Sequence, residues 1–267
     1  MKKIGIIGCG NMGGAMLRQL LTAGIFTKDE VCAADKSPTA CQKLHAECGV
    51  DVTADNALAA AAPVVLLAVK PQFIQAVGAD IAPALSADTL ILSIVAGWEI
   101  GMLKKLLKKE DAHIVRVMPN TPAMVGEGVL AACRSEQVTE DEWTLTMRML
   151  SCMGVAEEVP EGLMDAVTGL SGSSPAFAFL FMEALSDAGV RAGLPRATAQ
   201  RFAAQVLAGS GRLALKTGLH PGQLKDMVTS PAGTTIEGVA ALEKAGFRSA
   251  VMEAVDAAVR KSKSFHS

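Results

Sequence analysis

The sequence predicts an α/β N-terminal domain followed by an all-α C-terminal domain. Short β-branched runs alternate with helix-period segments as far as Val159, the pattern of a sheet covered by helices on both faces. Beyond about Pro160 the β-branched runs stop, and Ala, Leu, Met and Gly recur at helical spacing through to Lys263. The length of 267 residues exceeds a typical single domain, so two are expected, over residues 1–160 and 161–267.

The first strand, Lys3 to Ile7, runs into Gly8-Cys9-Gly10-Asn11-Met12-Gly13 and an amphipathic helix, Asn11 to Ala23. Between a strand and a helix these glycines have separate roles. Gly8 permits the tight turn, Gly10 lets the backbone approach a pyrophosphate, and Gly13 allows close packing of helix on strand. The pyrophosphate would rest on the helix N-terminus, where unpaired N–H groups and the dipole favour negative charge. The first domain therefore reads as Rossmann-like and dinucleotide-binding. Further strands are expected at Val31 to Ala34, Val64 to Val69, Thr89 to Ile94 and Ile114 to Val117. Helices are expected at Pro38 to Glu47, Pro71 to Leu85 and Glu99 to Lys108, the first two opening on Pro, whose fixed φ suits a first helical turn. A weaker strand, Gly128 to Cys133, a helix, Glu140 to Met153, and a short strand, Val155 to Val159, complete a sheet read as parallel.

In the second half helices are expected at Gly162 to Leu170, Pro175 to Ala192, Arg196 to Lys216, Pro221 to Val228, Thr234 to Ala245 and Phe247 to Lys263. The stretch Phe177 to Leu185 is apolar on nearly every face, so it must be buried all round. A helical unit this small hides such a surface better between subunits than alone.

Half of the residues are hydrophobic, 4% are aromatic, none is Tyr, and the formal net charge is -2. The charges are dispersed, so there is no basic field for nucleic acid. The longest apolar stretch, Ala57 to Val69, is interrupted by Pro63 and falls short of the roughly 18 residues of a membrane helix. Met1-Lys2-Lys3 faintly mimics a signal peptide, but Gly8 to Gly14 ends the apolar run too early for export. Six scattered cysteines without C-x-x-C spacing read as reduced thiols of a cytoplasmic protein. His45, His113, His220 and His266 are far apart, and no metal site is expected. His113 reads as a strand-end residue and His220, before Pro221, as a helix cap.

The absences bear on chemistry. Reduction of a ketone or aldehyde needs an acid to protonate the developing alkoxide, commonly Tyr, Lys or His. This chain has no Tyr, and no Lys from Glu110 to Leu215. A protonated imine carries its own proton, so a protein reducing one needs only to orient substrate and cofactor, hold the substrate's other charge and exclude water. Polar residues suited to this cluster at Ser230-Pro231-Ala232-Gly233-Thr234-Thr235, just before a helix whose free N–H groups suit a carboxylate; an ordinary capped turn is the other reading. A similar cluster, Gly169 to Pro175, opens the apolar helix.

Together with Ala68-Val69-Lys70-Pro71, Met118-Pro119-Asn120-Thr121-Pro122, Asp165 to Ser173 and His220 to Asp226, these segments resemble the pyrroline-5-carboxylate reductases along nearly the whole chain. The resemblance implies reduction of 1-pyrroline-5-carboxylate to L-proline by NAD(P)H. It also implies a homodimer through the helical domain, often assembled further into a ring of dimers. Under it, Gly8 to Gly13 hold the pyrophosphate, and Ala68, Val69, Lys70, Pro71, Ala96, Gly97, Asn120 and Thr121 line the nicotinamide side. Asn56 faces the adenosine end. Ser230, Gly233, Thr234 and Thr235 bind the substrate carboxylate, with the Thr235 hydroxyl near the ring nitrogen as the catalytic candidate; Glu161 is a further substrate-side candidate. Lys70 reads as structural or cofactor-orienting, since Pro71 starts a helix there and an imine needs no lysine acid.

Asp35 ends the second strand, where an acidic residue hydrogen-bonds the ribose 2′-OH of NAD and repels a 2′-phosphate. Lys36, Ser37 and Thr39 offer that phosphate a cation and hydroxyls. The local chemistry has opposing signs; NADPH is favoured on the resemblance, with NADH possible. Ala232 stands where a Gly-Gly form is common in the family, a neutral change if its φ is negative. Two other readings share this architecture. One is a hydroxyacid or 6-phosphogluconate dehydrogenase-like oxidoreductase, whose helical-domain lysine is missing here; the other is a non-catalytic dinucleotide sensor.

Overall fold

Strand β1 (Ile4–Ile7) passes into α1 (Asn11–Thr22), β2 (Val31–Ala34), α2 (Pro38–Cys48), β3 (Asp51–Thr53), α3 (Asn56–Ala60), β4 (Val64–Leu67) and α4 (Ile74–Ile81). There follow β5 (Leu90–Ser93), α5 (Ile100–Leu107), β6 (His113–Met118), β7 (Gly128–Arg134), α6 (Glu140–Ser151), β8 (Gly154–Glu158) and α7 (Met164–Val167). This computed structural model describes residues 1–265; His266 lies outside them. The described strands form one eight-stranded sheet in the order β3-β2-β1-β4-β5-β6-β7-β8.

Strands β1, β2, β4 and β5 are buried throughout, because helices cover both faces of the sheet. Strand periodicity sorts their side chains. Ile4, Ile6 and Leu66 join Met16, Leu17 and Leu20 of α1 and Trp143 of α6 in one cluster, while Ile7, Val65 and Leu67 join Ile74 and Val77 of α4 and Leu103 of α5 in the other.

Four sequence expectations are corrected. The sheet is not wholly parallel, because β7 runs antiparallel to β6, with Val117 opposite Ala132. The link between them holds only a 3-10 turn, Thr121–Val125, too short for the crossover a parallel pair requires. Two elements, β3 and α3, occupy a stretch in which none was foreseen. The helix α3 presses onto β1 so closely that a Cβ on Gly5 would lie 1.8 Å from the Ala59 carbonyl oxygen. Pro71 opens a 3-10 turn, Pro71–Phe73, before α4, and the helix expected over Gly162 to Leu170 is a 3-10 turn, Glu161–Leu163, then α7, then a π-helical turn, Thr168–Gly172.

The chain divides into two compact units, Met1–Gly172 with Val259 onward, and Ser173–Ala258. The first unit thus extends past residue 160. Met164 lies in its core, Asn120 Nδ2 donates to the Ser171 carbonyl at 3.1 Å, and Ser262 Oγ donates to Asp165.

The second unit carries α8 (Ser174–Arg191), α9 (Arg196–Thr217), α10 (Pro221–Met227), α11 (Thr234–Lys244) and the start of α12 (Phe247–Lys263). Arg196 Nη1 donates to Ser186 Oγ at 2.9 Å and to Asp187 Oδ1 at 2.6 Å, tying α9 to α8. Among its described residues the buried apolar side chains are Ala199 and Ala203, while Phe179, Leu180 and Phe202 are 59%, 68% and 58% exposed. A groove of about 940 Å³ runs beside Phe179, Leu180, Met182 and Arg196. The unit closes almost no core of its own, so its apolar face needs a covering surface. No helix among the described residues is long and apolar enough to cross a membrane.

Thr146, fully buried in α6, has a hydroxyl without a hydrogen-bond partner. Thr146→Val keeps the shape and removes that desolvated group, and should raise unfolding stability by about 1 kcal/mol. A urea melt reads this directly, and a lower midpoint would contradict it.

Candidate active site

The strand order reverses between β1 and β4, whose C-terminal ends lead into Gly8 and Ala68. Such a switch point leaves a crevice at the sheet edge. Here it measures about 260 Å³ and is lined by Gly8, Gly10, Ala34, Asp35, Lys36, Asn56, Ala68, Val69, Lys70, Phe73 and Val77. All but Ala34, Phe73 and Val77 were sequence candidates. Phe73 and Val77 had a signal, as apolar residues four apart at the start of the helix after Pro71. Ala34 had none beyond its place before Asp35.

The glycine turn is built for a ligand's close approach. Gly8 has φ +101°, and a Cβ on it would lie 2.5 Å from the Ala68 carbonyl oxygen. A Cβ on Gly13 would lie 2.1 Å from the Gly8 carbonyl oxygen, whereas one on Gly10 would meet nothing within 4 Å. The turn is therefore packed tightly beneath Gly8 and Gly13 and open above Gly10. No side chain caps α1, so its first N–H groups stay available for an anion. These features fit a dinucleotide pyrophosphate.

The other residues of the turn divide between crevice and core. Met12 packs against the core, and Asn11 lines a recess of about 160 Å³ with Cys9, Arg18 and Lys43. Cys9 is buried under the turn, and that burial, reinforced by nearby Asp35, pushes its thiol up to about 12. It is a neutral packing group at physiological pH.

The Asp35 carboxylate holds the backbone. Its Oδ2 accepts from Cys9 N–H at 2.7 Å and its Oδ1 from Ser37 N–H at 2.8 Å, joining the glycine turn to the loop after β2. Ser37 caps α2, its Oγ accepting from Ala40 N–H at 3.3 Å. Lys36 is exposed at the rim, and Pro71 sets the turn after Lys70.

Ala96 and Gly97 follow β5, and Asn120 and Thr121 follow β6, at the same edge of the sheet but outside this crevice. Gly97 has φ +74° and lies against Phe265. Asn120 is buried, its Oδ1 accepting from Val129 N–H at 2.9 Å, so its side chain shapes the loop. Glu161 also serves the scaffold. Its Oε1 accepts from Ile100 N–H at 2.8 Å, at the start of α5, and from buried Arg116 Nη1 at 3.2 Å.

The second cluster lies in the helical unit. Gly233 precedes α11 with no side-chain cap, leaving Thr234 and Thr235, both exposed, at a helix start with open N–H groups. Gly233 N–H donates to the Ser230 carbonyl at 3.1 Å, and a Cβ on Gly233 would lie 2.3 Å from Ser230 Oγ, so a larger residue there would turn that hydroxyl away. His220 caps α10, its Nδ1 accepting from Gly222 N–H at 3.1 Å. Ala232 does not meet the condition for a neutral change, since its φ is +53°, in the left-handed region that favours glycine. Ala232→Gly should therefore stabilise the protein by roughly 0.5–1 kcal/mol, readable as a rise in thermal midpoint; a fall would contradict the strain.

Comparison with known proteins bears on both clusters. Residues 161–265 match the family model described as pyrroline-5-carboxylate reductase dimerisation, and residues 3–97 one described as NADP oxidoreductase, coenzyme F420-dependent. The pyrroline-5-carboxylate reductase of Escherichia coli is 43% identical over 263 residues, covering 98% of this chain and 97% of that one. The Plasmodium falciparum pyrroline carboxylate reductase, solved with NADP bound, superposes with a TM-score of 0.88 at 34% identity, covering 100% of this chain and 98% of that one. The Coxiella burnetii pyrroline-5-carboxylate reductase gives a TM-score of 0.93 at 33% identity, over 100% and 99% of the two chains. Full-length similarity of this order, spanning both the glycine turn and the helical unit, places the chain in the pyrroline-5-carboxylate reductase family.

Proposed function

We propose that this chain reduces the imine carbon of 1-pyrroline-5-carboxylate to give L-proline, taking hydride from NADPH in preference to NADH. The observation that carries this is the 43% identity to a pyrroline-5-carboxylate reductase over nearly the whole chain. When bound, the reduced nicotinamide supplies the hydride and leaves oxidised, while the iminium nitrogen keeps its proton and becomes the amine nitrogen.

The chain's own residues bind and orient. Gly8, Gly10 and Gly13 with the start of α1 hold the pyrophosphate, and Asp35, Lys36 and Asn56 take the adenosine end. Ala68, Val69, Lys70 and Pro71, with Ala96, Gly97, Asn120 and Thr121 beyond them, are assigned to the nicotinamide end. Ser230 accepts the Gly233 N–H and so shapes the turn, leaving the open N–H groups at Thr234 and Thr235 to receive the substrate carboxylate beside Gly233, and the Thr235 hydroxyl serves the ring nitrogen. Because the substrate brings its proton, the missing Tyr and Lys acids cost nothing. The scaffold contacts of Glu161 support a positioning role in place of substrate binding.

A second copy of the chain covers the exposed Phe179, Leu180 and Phe202 face, giving a homodimer through the helical unit and a ring of dimers beyond it. Six free cysteines agree with work in the reducing cytoplasm. Loss of nicotinamide absorbance with 1-pyrroline-5-carboxylate, followed for NADPH and NADH in parallel, tests the activity. Cofactor binding with no turnover of this imine would overturn it in favour of a sensor.

A further inference from the structure

Asp80, which no sequence motif singled out, sits on the last full turn of α4, the end of a helix where the dipole disfavours an anion. Its position is accounted for by what it holds. The Asp80 Oδ2 accepts from Asn56 Nδ2 at 3.3 Å and lies 3.8 Å from Lys36 Nζ. One carboxylate oxygen thus gathers two residues lining the crevice on the side of the strand β2 end, where the ribose 2′ position of a dinucleotide is read. Asn56 is nearly buried, which fixes one side of this arrangement. Lys36 is mostly exposed, so it can leave the pair at small cost.

Asp35 faces the same region, but its two oxygens are directed at the N–H groups of Cys9 and Ser37. Asp35 thus keeps its charge as a fixed background to the crevice, and the part of the charge balance that a ligand can rearrange is the pairing of Lys36 with Asp80. A 2′-phosphate must draw Lys36 away from Asp80 and then tolerate the carboxylate left nearby. A 2′-hydroxyl does neither.

From this geometry we infer that Asp80 is a selectivity-setting residue that acts through Lys36, disfavouring the 2′-phosphorylated dinucleotide relative to the unphosphorylated one. The inference rests on the dinucleotide reading of the crevice, and on no step of imine reduction.

The test is direct titration of the full-length protein with NADPH and with NADH, followed by cofactor fluorescence without any imine. Asp80→Asn keeps an oxygen to accept from Asn56 and removes only the charge. It should tighten NADPH by roughly two- to fivefold and leave NADH nearly unchanged, as expected for one charge removed at a partly exposed site. In a Lys36→Gln background the same change should give a clearly smaller gain, because the two residues are coupled. A NADPH-to-NADH affinity ratio that stays put or moves toward NADH overturns the inference. So does a gain of equal size in both backgrounds. Failure of imine turnover would leave these titrations readable, and an unmoved ratio would leave the reductase assignment standing.

Discussion

Gly13→Ala is expected to abolish measurable NADPH binding and to destabilise the first unit, whereas Gly10→Ala should leave the fold intact and weaken the cofactor alone. The difference follows from what a methyl group would meet. At Gly13 it would stand 2.1 Å from the Gly8 carbonyl oxygen and 2.9 Å from the Ala68 Cβ, so α1 would have to move off β1 and β4. Overpacking of this kind costs about 1–3 kcal/mol or more, and here it displaces the N–H groups proposed to hold the pyrophosphate. At Gly10 no protein atom lies within 4 Å of the added carbon, and the residue already has φ -68°, which alanine accepts. The methyl would project into the space assigned to the pyrophosphate. Thermal melts and NADPH titrations of the two variants together test this. Equal melting temperatures, or a Gly10→Ala variant that binds as tightly as wild type, would contradict the roles assigned to the two glycines.

Thr235→Ala should lower kcat for the imine by roughly 10- to 100-fold while NADPH affinity stays nearly unchanged, the signature of an interaction made late in the reaction. Thr235 is the second residue of α11, in a unit different from that of the glycine turn, so the two clusters have no residues in common. Removing its hydroxyl leaves the backbone N–H groups at Thr234 and Thr235 in place for the carboxylate. KM for the imine should therefore change less than kcat. A loss of NADPH affinity matching the loss of kcat would remove Thr235 from the substrate side.

The glycine turn was legible because its demands are local. A φ of +101° at Gly8 and the close approach of Gly13 in α1 to the Gly8 carbonyl can be met only by residues without a side chain, and both stand in the sequence at fixed offsets. The start of α11 was legible for a related reason, since Thr and Gly around a helix start announce open N–H groups. What escaped was set by neighbours in space. Strand β3 has three residues on the sheet edge and α3 has five, too few for either period to register. The antiparallel turn of β7 depends on the short link after β6, and the boundary after Gly172 on Met164 reaching into the core. Whether Ala232 is a neutral change turns on the sign of its φ, and its left-handed conformation has no trace in the residue type. Asn120 and Glu161 were read for their chemistry, yet their polar atoms are engaged by Val129, Ser171, Ile100 and Arg116, all but Val129 far away in the chain. Asp35 was read as a ribose ligand or a phosphate repellent, and only the fold shows its hold on Cys9 and Ser37.

The central claim is that this chain moves hydride from a nicotinamide to the carbon of a cyclic imine. Incubation of the purified protein with 1-pyrroline-5-carboxylate and NADPH carrying deuterium at the transferable nicotinamide position tests it most directly, with proline examined by mass spectrometry and NMR. The account predicts L-proline bearing one deuterium on the ring carbon that was the imine carbon. Proline without that label, or oxidation of the cofactor with no proline formed, would contradict it.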